Sequence, residues 1–124
     1  MNANDYVREA KRTDVTNYTI QEVRMGGVIE AMHALMGIVT EAGELMDVYK
    51  KNVMYGKPID IPNVKEEVGD IMWYIALLCH TYEFNLEDIL QMNIDKLRAR
   101  YPEKFTEDKA LNRDLDTERK ILEG

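Results

Sequence analysis

A chain of 124 residues holds one domain, long enough for a core and short of the size at which chains divide. At 45% apolar and 31% charged residues it is composed like a folded globular protein and unlike a disordered one. The formal charge of −7 argues against a general nucleic-acid binder, because affinity for phosphate backbones comes mainly from Lys and Arg; an acidic site holds a polyanion only where divalent cations invert the local charge.

Residues 1–19 are polar, with a helical stretch over roughly Asp5 to Lys11. Val28, Met32, Leu35, Val39, Ala42, Met46, Tyr49 and Val53 then recur at steps of three and four, which predicts an amphipathic helix over about 27–54 with that stripe on the core. Gly56, Lys57 and Pro58 stop it. Asp60, Ile61, Pro62 and Asn63 make a turn and start a third helix, with Val64, Val68, Ile71, Met72, Ile75, Leu78, Cys79 and Tyr82 as its core positions. Between Ile71 and Cys79 that helix is apolar on all sides, so its own bundle, a second subunit or both must cover it. Asn85 caps a fourth helix, whose stripe is Leu86, Ile89, Leu90, Asn93 and Leu97 and which Pro102 stops. The tail from Thr106 carries a capping pattern and a weaker helix over Asp114 to Leu122. Strand signals are nearly absent. The expected fold is all-α: an antiparallel four-helix bundle with extra terminal helical segments, one domain over 1–124 with its core at about 20–102 and a tail at 103–124.

The lone cysteine, Cys79, fits a reducing compartment, and no secretory signal opens the chain. The run from Ile71 to Cys79 is too short for a bilayer, which needs about 20 residues. A cytoplasmic protein without membrane partners is expected.

Two pairs of acids stand at i and i+3: Glu41 with Glu44, and Glu67 with Asp70. Such residues share a helical face about 5–6 Å apart at Cβ, so each pair can aim two carboxylates at one point. Each lies beside the apolar stripe, and antiparallel packing would set the pairs across a groove. Gly43 and Gly69 sit inside the two quartets, where glycine costs about 1 kcal/mol of helix stability relative to alanine; a backbone or a ligand is expected to come close there. Spacing alone leaves two readings, a solvated acidic face or a site for hard oxygen-ligated cations such as Mg²⁺ or Mn²⁺.

At these residues the chain resembles a family. Glu41-Ala-Gly-Glu44 followed by Glu66-Glu67-Val-Gly-Asp70 is similar to the paired signature of the MazG-like nucleotide pyrophosphohydrolases, and the segment from Asn93 through Lys96 and Arg100 to Tyr101 and Pro102 is similar to the family's phosphate-side segment. The resemblance covers roughly residues 25 to 115. It implies a MazG-like helical fold, assembly as a homodimer or homotetramer, and Mg²⁺-dependent hydrolysis of a nucleoside triphosphate to the monophosphate and pyrophosphate. It also implies that Glu41, Glu44, Glu67 and Asp70 ligate the metal and are catalytic, while Asn93, Lys96 and Tyr101 contact phosphate or sugar. In the implied mechanism the ions neutralise the triphosphate and lower the pKa of a bound water, and Glu44 or Glu41 orients it.

Other residues carry two readings each. His33, two turns before Glu41, is a base or phosphate contact or a packed histidine. Trp73 stacks on a base or packs in the core. Arg100 forms a cationic ridge with Lys96 for substrate, or complements the helix dipole with it. Asn93 falls on the apolar stripe, where a buried amide needs a partner. Lys51 helps hold phosphate or is a solvated helix-end lysine. Asp47 and Glu66 are auxiliary ligands, and Cys79 is a buried apolar residue. Rival functions are a phosphoribosyl-ATP pyrophosphohydrolase-like enzyme, a di-iron bundle (disfavoured because the quartets lack histidine) and a non-enzymatic metal-binding helical bundle.

Overall fold

The computed structural model describes residues 1–16 and 27–124, so the expected core boundary at residue 20 and the end of the polar segment, 17–19, lie outside the described residues. Those residues form helices α1 (Ala3–Lys11), α2 (Val28–Tyr55), α3 (Ile61–Thr81), α4 (Leu86–Arg100), α5 (Glu107–Leu111) and α6 (Leu115–Glu123), with no strand among them. The all-helical class is as the sequence predicts: α1 to α4 fall where the sequence places its four helices, and α5 and α6 lie in the tail. The chain divides into two compact units, Met1–Phe84 and Asn85–Gly124.

In the first unit, local chemistry sets the helix ends. Asn2 and Asp5 form a capping box at the start of α1. Gly56, at φ +68°, closes α2 in the left-handed conformation that glycine adopts without a Cβ clash. Asp60 caps α3 by accepting from the Asn63 amide. α2 and α3 run antiparallel: Gly27 meets Thr81 and Gly37 meets Tyr74, one helix advancing as the other recedes. α1 also packs on α3, which is therefore central to this unit. No residue from Ile71 to Cys79 is exposed, but only Ala76, Leu77 and Cys79 are fully buried, so the all-round burial expected of that stretch is met in part within the single chain.

The expected core stripe of α2 is a correction. Its buried positions are Ala31, Ala34, Gly37 and Val48, whereas Val39, Met46 and Val53 are 70%, 67% and 75% exposed. The reason is steric. A Cβ at Gly37 would stand 2.2 Å from the Tyr74 ring, so α3 closes on the small-residue face, where an aromatic side chain fits against backbone. The bulky apolar stripe is left outward.

In the second unit α6 packs on α4. Leu86 is buried, but Asn93 is exposed, so the expectation of a buried amide on an apolar stripe fails there. What α6 does bury is Glu118, 3% exposed, between Arg100 (Nε to Oε1, 2.7 Å) and Arg113 (Nη2 to Oε2, 2.6 Å). Among the described residues no helix is long and apolar enough to cross a membrane.

Candidate metal centre

α2 and α3 bring three of the four paired acids together, as the antiparallel packing allows. Glu41, Glu67 and Asp70 each offer a carboxylate oxygen, and these three oxygens all lie within 4.8 Å of one another. Glu67 is 5% exposed. Glu41 Oε2 and Glu67 Oε2 are buried with no hydrogen-bond partner. Buried oxygens without donors are costly, and carboxylates held this close cannot all keep their charges unopposed. The Glu67 carboxyl is accordingly pushed up to about 7, first by the Glu41 side chain set against it, then by burial and by the charges of Glu44 and Glu41. Glu44 is exposed and is not one of the tight three, but its charge and hydrogen bonding reach Glu67. Neither histidine belongs to the three-carboxylate group.

The donor set fits a hard divalent cation. Three converging carboxylates offer oxygens only, and the two orphaned oxygens lack the positive partner that such an ion supplies. Beside the cluster, between α2 and α3, lies a cavity of about 910 Å³ that takes in Gly43, Glu44 and Glu67 and runs toward the turn at 56–60, where Lys51 and Lys57 line it. Added Cβ atoms at Gly43 and Gly69 would meet nothing within 4 Å. The quartet glycines therefore do not mark a helix crossing. That role belongs to Gly37, and Gly43 opens room in the groove.

The other residues singled out in the sequence lie elsewhere. His33 is near the end of α1: its Nδ1 is 3.7 Å from Asp14, and its ring meets Tyr74 edge-on at 5.8 Å. Trp73 donates from Nε1 to Thr13 Oγ1 at 2.8 Å and packs edge-on against Tyr74 at 5.0 Å, so its polar edge ties α3 to the segment after α1. Asn93, Lys96, Arg100 and Tyr101 belong to the second unit. Both ends of the Arg100 fork are taken by Glu118, and its guanidinium carbon lies 5.6 Å from the centre of the Tyr101 ring. Cys79 is buried and its thiol is pushed up by that burial, as suits an unreactive side chain.

Sequence reasoning passed over three groups. Tyr6 of α1 reaches the cluster, its hydroxyl donating to the Gly69 carbonyl at 3.4 Å; burial and the Asp70 charge raise its pKa. Lys57 and Asn63 line the cavity. Glu118 holds the arginine clasp. For Tyr6 the signal was the spacing of Tyr6 and Ala10 around Val7, which puts one side of a short helix on a neighbour; nothing in it names that neighbour.

Comparisons with known proteins point to one family. Residues 30–105 match the model of the MazG nucleotide pyrophosphohydrolase domain, a span that contains both acid pairs and α4. The chain is also similar to the Gene 37 protein of Mycobacterium phage L5, 34% identical over 73 residues, which is 55% of this chain and 63% of that protein. The chain thus spans less than two thirds of that relative's length. No solved structure matches.

Proposed function

Because this chain belongs to the MazG nucleotide pyrophosphohydrolase family, we propose that it is a Mg²⁺-dependent enzyme that converts a nucleoside or deoxynucleoside triphosphate to the monophosphate and pyrophosphate. The observation that carries this reading is the convergence of Glu41, Glu67 and Asp70 within 4.8 Å, with buried, donor-free oxygens on two of them. Glu41, Glu67 and Asp70, with Glu44 at the groove, would hold the cation, for which Mn²⁺ is a substitute. When bound, the cation neutralises phosphate charge and makes a coordinated water acidic.

The chain's own groups supply the rest. One of the acids, Glu44 or Glu41, would orient the attacking water and take a proton from it; supporting Glu44 are its exposure and its place in the cavity lining. Water adds across the anhydride between the α and β phosphates, and pyrophosphate leaves. Asn93, Lys96 and Tyr101 contact phosphate or sugar, and Arg100, clasped by Glu118, braces the Tyr101 ring. His33 and Trp73 are kept as candidates for contact with the base on the strength of their sequence positions alone; in the structure their rings pack against Tyr74. The phage relative gives no substrate, so base and sugar are read from assay. The expected result is pyrophosphate release with Mg²⁺ from at least one member of a panel of canonical and modified nucleotides, lost by about a thousandfold or more in Glu67→Gln, whose fold is kept. Retained turnover in that variant would sink the assignment.

A second part of the reading concerns assembly. Val39, Met46, Val53 and Met54 present a broad apolar face on α2, at 67–75% exposure in the single chain. Faces of that kind mark interaction sites, and we take this one to be covered by another copy in a homodimer or homotetramer. A monodisperse monomer in light scattering would overturn it. The reading also keeps the protein in the cytoplasm, acting on free nucleotides and not on nucleic acid.

A further inference from the structure

The cavity beside the carboxylates has two chemically different ends. Glu44 and Glu67 stand at one; both lysines, Lys51 and Lys57, stand toward the other, at the elbow between α2 and α3, with Asp47 and Asp60 beside them. The elbow's backbone geometry brings the main chains of residues 51 and 57 together, so both lysines spring from one turn. With Gly56 at φ +68°, its amide donates to the Asn52 carbonyl at 2.9 Å, and the Lys57 amide donates to the Lys51 carbonyl at 3.2 Å. The chain therefore folds back over the last turn of α2, with residue 57 against residue 51. Asn52 Nδ2 also donates to the Lys57 carbonyl at 2.7 Å, which fixes the return from the other side.

Side chains on a helix tilt toward its N-terminus. The Lys51 ammonium accordingly reaches back to Asp47, 2.8 Å away, one turn beyond Glu44 in the direction of the elbow. Lys51 and Asp47 are 53% and 49% exposed. Exposed ion pairs of this kind contribute little, so Lys51 can turn to a stronger anion at small cost. Charge also sets which anion is accepted. Glu44, Asp47, Asp60 and Glu67 line the same cavity, so its carboxylates outnumber its lysines and a bare polyanion is repelled. An anion already carrying a divalent cation is not: the cation meets the acid end and the free phosphate oxygens meet the lysines.

We propose that the α2–α3 elbow is a pyrophosphate subsite, in which Lys51 and Lys57 take the pyrophosphate half of a metal-complexed triphosphate and hold it through departure. The inference rests on the pyrophosphohydrolase reading. It adds the direction in which the phosphate tail lies: along α2 from Glu44 toward Gly56. The test is calorimetric titration of inorganic pyrophosphate with Mg²⁺ into the full chain. The Lys51→Ala/Lys57→Ala double variant should bind at least about tenfold more weakly than the unmodified protein, each single variant less so. Lys50→Ala, which removes the same charge from α2 outside the cavity, should bind like the unmodified protein. Far-UV dichroism identical to the parent guards against a folding artefact, since both lysines are exposed. If the unmodified protein hydrolyses nucleotides but the double variant binds magnesium pyrophosphate undiminished, the subsite is wrong and the enzyme reading stands. If the unmodified protein neither hydrolyses any nucleotide nor binds magnesium pyrophosphate, both fall.

Discussion

Glu67 in the first unit and Glu118 in the second are hidden to nearly the same degree, at 5% and 3% exposure, yet the chain treats them in opposite ways. Glu118 lies between two guanidiniums, and the hydrogen bonds from Arg100 and Arg113 hold its carboxyl down at about 2. Glu67 lies among carboxylates, and the neighbouring Glu41 side chain, with burial, lifts it to about 7. Burial by itself separates nothing here. A carboxylate bracketed by arginines is finished as a structural clasp, whereas one packed against Glu41 and Asp70 with an oxygen lacking any donor is complete only when something positive arrives. On the metal-dependent reading proposed above, the second kind is the functional one: an unfavourable local arrangement that a bound cation would relieve.

The two glutamates give the metal-free protein opposite pH limbs, and this is where the largest effect is expected. The folded pKa of Glu67 is raised from 4.5 to about 7, so its contribution is fully present below about 4.5 and is lost as pH rises through about 7. For Glu118 the folded pKa is lowered from 4.5 to about 2, so its contribution is present above about 4.5 and is lost as pH falls through about 2. Thermal unfolding in the presence of a chelator should therefore show a midpoint that declines by several degrees on either side of about pH 4.5. Glu67→Gln flattens the neutral limb alone. Glu118→Gln flattens the acid limb and lowers the midpoint at pH 7, because it weakens the partner of two arginines. Added Mg²⁺ at pH 8 restores the midpoint in the unmodified protein and not in Glu67→Gln. A flat chelated profile between pH 5 and pH 8 would contradict the role given to Glu67.

The same contrast explains what could be read from the sequence. The acid pairs were legible as pairs because helical spacing fixes which residues share a face; that the two faces meet depended on which side of α2 packs, and spacing left that open. Helix ends were legible for a similar reason: Gly56, Asp60, Asn85 and Asp114 act within a turn of their own positions. The facing of α2 was not. Its apolar stripe is the stronger periodic signal, but helix pairing was decided by how closely Tyr74 could approach, and that favoured Ala31, Ala34 and Gly37. The Arg100 fork was legible as a cationic ridge, but its partner Glu118 lies eighteen positions away, and no periodic rule couples α4 to α6. Tyr6 beside Gly69 escaped for the same reason. Short-range chemistry is written in spacing; long-range choice between two plausible faces is written in volume.

Glycines sharpen that last point and carry the smaller predictions. Gly37 is buried beneath the Tyr74 ring, and a methyl there would stand 2.2 Å from ring carbons. Gly37→Ala should destabilise the fold by about 1–3 kcal/mol through overpacking, measured by denaturant unfolding. Gly43 sits in the same helix under opposite conditions: its added Cβ meets nothing within 4 Å, and its backbone is ordinary helix. Gly43→Ala should therefore stabilise the metal-free chain by about 0.5–1 kcal/mol, the usual gain of alanine over glycine in a helix interior. Because Gly43 lines the cavity next to Glu44, that methyl also occupies room meant for ligand, and KM for the nucleotide should rise while stability improves. A variant that gains stability with unchanged KM would show that the open space at Gly43 is not where substrate lies. The glycine would then be a leftover of helix geometry and not part of the groove's function.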